Sequence, residues 1–138
     1  MGGFVNVQEQ IDKFLKSKVF GVVGASTNRD KFGNKVLRCF LQHNMRVIPV
    51  NPKEPVIEGI PCVATVMDLP AEVTSISVIT PPHVTEEVVK IAIRKGIENI
   101  WIQPGAESSA AIDLCRANNI NVIADGSCIL VVIGYNDN

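Results

Sequence analysis

Val22-Val23-Gly24-Ala25-Ser26 carries an apolar run into a glycine, a small residue and a hydroxyl. A stretch this lean lets backbone N–H groups approach a phosphate closely, and a helical pattern begins shortly afterwards, near Phe32. Between residues 29 and 38 four cations, Arg29, Lys31, Lys35 and Arg38, accompany one anion, Asp30, and Lys53 follows the next apolar run. The chemistry indicated is recognition of a ligand richer in phosphate charge than a plain dinucleotide. Lys35 and Arg38 are expected on a solvated helix face. Arg29 and Lys31 lie in the loop itself, where phosphate contact and simple solvation both stay open.

The loop is not a dinucleotide fingerprint, because Gly24-Ala25-Ser26-Thr27-Asn28-Arg29 lacks the second and third glycines of G-x-G-x-x-G. Asn51-Pro52-Lys53 also stands where an acid would hold a ribose hydroxyl. An NAD(P)-dependent reductase or redox sensor using the same crevice is therefore the weaker alternative. Gly24 is expected to tolerate substitution in the fold provided that it does not need a positive φ. Cys39, Cys62, Cys115 and Cys128 form no C-x-x-C pair, and His43 and His83 form no ligand cluster with them. Buried thiols in a reducing compartment follow, with no metal. His83 follows two prolines and has no carboxylate partner in sequence, so capping or exposure is expected rather than catalysis. Cys128 is read either as a packing residue or as a thiol able to form a mixed disulfide, and nothing basic flanks it in sequence.

These residues need a scaffold. A short amphipathic helix is expected over 6–16, capped by Asn6, with Val7, Ile11, Phe14 and Leu15 at helical spacing. Strands follow over 18–23, 46–50, 75–80, 99–102 and 121–124, and helices over 32–43, 84–95 and 107–118. Val36, Leu37, Phe40 and Leu41 supply the buried stripe of the second helix. Pro52, Pro55, Pro61 and Pro70 with Gly59 make 53–70 a long connection containing one helical turn over 66–69. Gly96 ends a helix.

Nearly continuous apolar strands alternating with helices predict an α/β fold: one Rossmann-like, doubly wound, parallel five-stranded sheet, forming a single domain over 1–138. Right-handed crossovers collect the loops after the strands at one edge, where open α/β sheets bind ligands. The chain has 138 residues, 46% of them hydrophobic and 20% charged, enough for a core without staples. Its formal net charge of −1 excludes a surface that grips nucleic acid throughout. No apolar run is long enough to span a membrane, and Met1-Gly2-Gly3-Phe4-Val5 lacks both a leader pattern and, with Asn6 in place of Ser or Thr, a myristoylation signal. A cytoplasmic protein is expected.

Four segments in order, Val23-Gly24-Ala25-Ser26 with its basic loop, Val47-Ile48-Pro49-Val50-Asn51-Pro52-Lys53, Ile79-Thr80-Pro81-Pro82, and Trp101-Ile102-Gln103-Pro104-Gly105-Ala106, resemble the CoA-binding protein family. These are small relatives of the N-terminal domain of the succinyl-CoA synthetase alpha subunit. NDP-forming acetyl-CoA synthetases carry a similar G-A-S and V-N-P-K pair, and the similarity covers about residues 13–132. The resemblance implies that coenzyme A, free or as a short acyl-CoA, is bound without independent catalysis. It implies that Gly24, Ala25 and Ser26 hold the diphosphate or a nearby phosphate, that Asn51, Pro52 and Lys53 border the adenosine, and that Thr80, Pro81 and Pro82 wall the pantetheine path. Gln103, Pro104 and Gly105 would line the thiol end, near Cys128, and Arg29, Lys31 or Lys53 would meet the 3′-phosphate. At Thr80-Pro81-Pro82-His83 and Asp125-Gly126-Ser127-Cys128 the chain leans towards the synthetase subunits, whose phosphorylated histidine belongs to a downstream ligase domain. A stand-alone module, a homo-oligomer, the nucleotide-binding part of a larger assembly and a scaffold subunit with a vestigial site all remain open.

Overall fold

The computed structural model describes residues 6–137. The start of the chain, on which the leader and myristoylation readings rest, lies outside the described residues. Helix α1 (Val7–Leu15) begins where the Asn6 side chain accepts the Glu9 N–H, and it buries Ile11 and Phe14. Then come β1 (Val19–Val23), α2 (Phe32–Gln42), β2 (Arg46–Val50), β3 (Val56–Ile57), β4 (Ile60–Pro61), β5 (Ser75–Val78), α3 (Pro82–Lys95), β6 (Asn99–Ile102), α4 (Ser109–Ala117) and β7 (Asn121–Ile123).

Five strands form one parallel sheet in the order β2-β1-β5-β6-β7. β1, β5 and β6 are buried throughout, because in the middle of a parallel sheet both faces carry helices. The predicted fold is thus the observed one. On one face Phe14, Phe20, Phe40 and Trp101 form an aromatic cluster with ring centroids 5.0–5.4 Å apart. All four are at most 1% exposed, and each such side chain contributes on the order of 1.5–3 kcal/mol by leaving water. The other face packs sheet residues such as Ile76, Ile100 and Val122 against Val89 of α3 and Ala111 of α4.

Two helix starts and one connection depart from the sequence expectation for local reasons. α3 starts at Pro82 rather than 84, since a proline in the first turn forgoes an N–H that has no intrahelical acceptor there. α4 starts at Ser109 because Ser108 caps it, accepting the Ala111 N–H. The 53–70 connection does contain the expected helical turn, at Val66–Asp68, but it also folds β3 and β4 into an antiparallel hairpin. Its turn residues Glu58 and Gly59 both have positive φ, at 50° and 78°, the backbone of a tight two-residue hairpin. Beyond β7 a wide turn over Leu130–Gly134, closed by the Tyr135 N–H on the Leu130 carbonyl, brings the last residues back over α2.

The α2 stripe is rotated from the expected one. Leu41 is 37% exposed, while Gly33, Asn34 and Arg38 are buried with Val36, Leu37 and Phe40. Arg38, expected on a solvated face, is 8% exposed. Burial of its guanidinium is tolerated because Nε donates to Asn34 Oδ1 at 2.6 Å and a terminal nitrogen donates to the Arg29 carbonyl at 2.7 Å.

Candidate functional site

At the carboxyl edge of the sheet, Gly24, Ala25, Ser26, Asp30, Lys31, Phe32, Gly33, Asn51 and Ile79 line a cleft of about 650 Å³. It sits where β1 passes into α2, beside the end of β2. Gly24 has φ +89°, and a Cβ placed there would lie 2.0 Å from the Ile79 carbonyl oxygen. No other residue type fits without moving the backbone, so substitution at Gly24 disturbs the fold itself. Gly33 is equally constrained: its Cβ would lie 2.0 Å from the Gly24 carbonyl oxygen. The first turn of α2 therefore packs directly on the loop after β1. This is the close helix-strand approach that the third glycine of a dinucleotide fingerprint serves, supplied here nine residues after Gly24. The sequence signal was a glycine at the start of a helical pattern, hidden by its distance from the expected spacing.

The N-terminus of α2 is open. Lys31 occupies the cap position without a side-chain hydrogen bond to the helix, and no acid lies in the first turn. Early N–H groups of a helix have no intrahelical acceptor, so this end presents donors and a positive dipole to the cleft. By contrast, α1 and α4 are capped by Asn6 and Ser108.

Side chains hold the loop around this opening. Asn51 Nδ2 donates to the Ala25 carbonyl at 2.9 Å, while its Oδ1 accepts the N–H groups of Lys53 and Glu54. Asn34 Nδ2 donates to the Ser26 carbonyl at 2.8 Å and to Glu58 Oε2 at 3.0 Å. Ser26 Oγ accepts the Asn28 N–H. Arg29 pairs with Glu58 at the hairpin tip, which leaves it committed to a carboxylate and outside the cleft lining. The Asn34 hydrogen bond, joined by Arg29, holds the Glu58 carboxyl below the usual glutamate range against the opposing effect of burial. Among the described residues neither Lys31 nor Lys53 has an ion-pair partner, and both are exposed. Lys35 and Arg38 instead face Asp137, at 3.8 and 3.7 Å. Asn34, Arg38, Glu58 and Gly33 were not singled out as site residues in the sequence; the spacing of four between Asn34 and Arg38 is the one visible hint that they share a helix face.

The structure brings Gly24, Ala25, Ser26, Lys31 and Asn51 together in the cleft and places the remaining candidates elsewhere along the same edge. Pro52 and Lys53 are exposed beyond β2, and Pro81, Pro82, Pro104 and Gly105 are exposed beyond β5 and β6. Thr80 is hydrogen-bonded through its hydroxyl to Thr85 at 2.7 Å. Gln103 is 2% exposed; its Oε1 accepts the Ile129 N–H at 2.8 Å and its Nε2 lies 3.4 Å from Cys128 Sγ. Cys128 is half-buried, as is Cys62, whereas Cys39 and Cys115 are buried and burial pushes both thiols up to about 11. His83 is exposed in the first turn of α3 and caps nothing, the cap position being Pro81. Among the described residues no group of three or more His, Cys, Asp or Glu could hold a metal ion, and no helix is long and apolar enough to cross a membrane.

Comparison with known proteins places this geometry. The chain is 27% identical over 103 residues to an ADP-forming acetate–CoA ligase of Archaeoglobus fulgidus, covering 75% of this chain and 15% of the ligase. It is 25% identical over 93 residues to an alpha subunit of such a ligase from Pyrococcus furiosus, covering 67% of this chain and 20% of that subunit. The chain thus spans a fifth or less of these curated relatives. Among solved structures it matches a conserved hypothetical protein of Pyrococcus furiosus with TM-score 0.79 and 37% identity, covering 83% of this chain and 97% of the other. A hypothetical protein of Pyrococcus horikoshii superposes with TM-score 0.85 at 25% identity, covering 95% of each. The family model of the CoA binding domain matches residues 18–133, and the chain belongs to that family.

Proposed function

We propose that the chain binds coenzyme A, free or as a short acyl thioester, at the carboxyl edge of the sheet and performs no chemistry of its own. The observation that carries this reading is the uncapped N-terminus of α2, opening with Gly24, Ala25, Ser26 and Lys31 into one cleft. Backbone donors, a helix dipole and a nearby exposed cation are what a diphosphate requires. Lys31 is the best-placed cation for a further phosphate, and Lys53 the next; Arg29 must first leave Glu58. Asn51 argues against a nicotinamide cofactor, because both ends of its amide are used by backbone groups and no acid takes its place. The pantetheine arm would run past Thr80, Pro81 and Pro82 towards Gln103, Pro104, Gly105 and Cys128, meeting mainly backbone. The described fold acts as one CoA-binding unit, alone, as a homo-oligomer or as the nucleotide-binding part of a larger assembly.

Isothermal titration with CoA, dephospho-CoA and NAD tests the reading. CoA is expected to bind most tightly, and a concentration of ~100 times its dissociation constant should add about 2.7 kcal/mol to stability. Equal binding of all three would remove the assignment of a cation to the 3′-phosphate. Absence of CoA binding would remove the function.

A further inference from the structure

We infer that Phe32 is the platform on which the adenine base of the ligand stacks, an assignment that rests on the CoA reading above. Phe14, Phe20 and Phe40 are at most 1% exposed, but Phe32 is 60% exposed. A phenylalanine left in water loses the burial that stabilises the others, and no packing role in the described core accounts for it. Its position accounts for it better. Phe32 is the first residue of α2 and lines the same cleft as Gly24, Ala25, Ser26 and Asn51. A ring there stands beside the open helix end on which a phosphate would sit, so a ligand that carries phosphate and a flat heteroaromatic group can engage both at once.

The surroundings select the flat part of the ligand rather than its aliphatic arm. Lys35 Nζ lies 5.9 Å from the ring centroid, within cation-π range, and Lys31 precedes the ring in the chain. An aromatic face flanked by cations favours a purine whose sugar bears phosphate, since base and anion are then met by neighbouring residues. Stacking on an aromatic side chain is available to any base and does not require hydrogen bonds to its edges. This explains how adenine could be held although the side chain of Asn51, beside it in the cleft, is committed to backbone.

The test compares wild type, Phe32→Ala and Phe32→Trp, using CoA and 4′-phosphopantetheine as probes. Phe32→Ala should keep the wild-type melting temperature, because the side chain is exposed, and should bind CoA about tenfold or more weaker while 4′-phosphopantetheine binding is unchanged. Phe32→Trp should retain CoA affinity, and its new indole fluorescence should be quenched by CoA and not by 4′-phosphopantetheine; Trp101, at 0% exposure, provides a constant background. Wild-type binding of CoA with no loss in Phe32→Ala, or equal losses for both probes, overturns the stacking and leaves the CoA reading standing. Failure of the wild type to bind CoA overturns both.

Discussion

The two halves of the carboxyl edge are built differently. After β1 and β2 the loops open a cleft of about 650 Å³, with a bare helix end, a lysine free of ion pairs among the described residues and an exposed ring. After β5, β6 and β7 the loops are stitched down: Trp101 Nε1 to the Ser127 carbonyl at 2.9 Å and Gln103 to Ile129 join the ends of β6 and β7, while Thr80 to Thr85 and the Gly105 N–H to Glu107 at 2.8 Å each tighten one loop. At the first half Lys31 and Phe32 stay exposed beside the cleft while Asn51 and Asn34 brace the loop, whereas at the second Trp101 and Gln103 hold Ser127 and Ile129 against the sheet. Loops of one edge therefore carry different duties, and substitution should separate them.

The largest effect is expected at the glycines of the open half. Gly24→Asp and Gly33→Ala each drive a Cβ to 2.0 Å from a backbone carbonyl oxygen, of Ile79 and Gly24 respectively. Each should destabilise by about 4 kcal/mol or more, or prevent folding, because backbone on both sides must move. Thermal denaturation followed by circular dichroism measures this. A Gly24→Asp protein with wild-type melting temperature would show that the loop yields easily and that the cleft is not rigidly built.

In the stitched half, Gln103→Ala leaves the buried Ile129 N–H without its acceptor, so stability should fall by about 1–3 kcal/mol. CoA affinity of the folded fraction should change little. A loss of affinity at unchanged stability would give Gln103 a direct part in the ligand site and dissolve the contrast between the halves.

Sequence reading reached the sheet, its five strands and the edge that carries the cleft, because continuous apolar strands and glycine or proline turns are local signals. Gly24, Ala25, Ser26 and Lys31, marked by the lean, basic loop, and Asn51, marked by the family resemblance, line that cleft. Sequence reading missed what depends on contacts distant in sequence. Arg38 looked like a surface cation because the Arg29 carbonyl, its second acceptor besides Asn34 one turn earlier on the same helix, meets it only after the loop folds back on α2. Glu58 carries no mark of its own within the proline-rich connection; two-residue strands leave no period to detect, so nothing in the sequence places it against Arg29 and Asn34. Gln103 was visible as part of a loop, but not its bond to Ile129, 26 residues later.

Within the open half the cations should also separate. Lys31→Ala removes a lysine that lines the cleft with no ion-pair partner among the described residues, and CoA affinity should fall about five- to tenfold, roughly 1–1.4 kcal/mol. The loss should shrink at high salt, as expected for an exposed charge. Arg29→Ala should cost less, because Arg29 is engaged by Glu58. Calorimetry with CoA and dephospho-CoA orders the two; a greater loss at Arg29 would mean that the arginine abandons Glu58 when ligand arrives.

The smallest effect concerns Glu58 itself. Its folded pKa is depressed, chiefly by the Asn34 hydrogen bond and then by Arg29, so its charged form stabilises the fold. That contribution is present above the unfolded pKa of about 4.3 and is lost as pH falls through the lower folded value. Glu58→Gln should therefore lower stability slightly near neutral pH, by up to about 1 kcal/mol given the exposed Arg29 partner, and flatten the acid limb of the stability curve. The neutral amide can still meet Asn34 but no longer neutralises Arg29, so CoA should bind equally or somewhat more tightly. Denaturant titrations from neutral pH down to about 3, together with calorimetry at neutral pH, measure both sides. Weaker CoA binding in Glu58→Gln at unchanged stability would mean that the hairpin tip serves the ligand directly rather than only restraining the loop beside it.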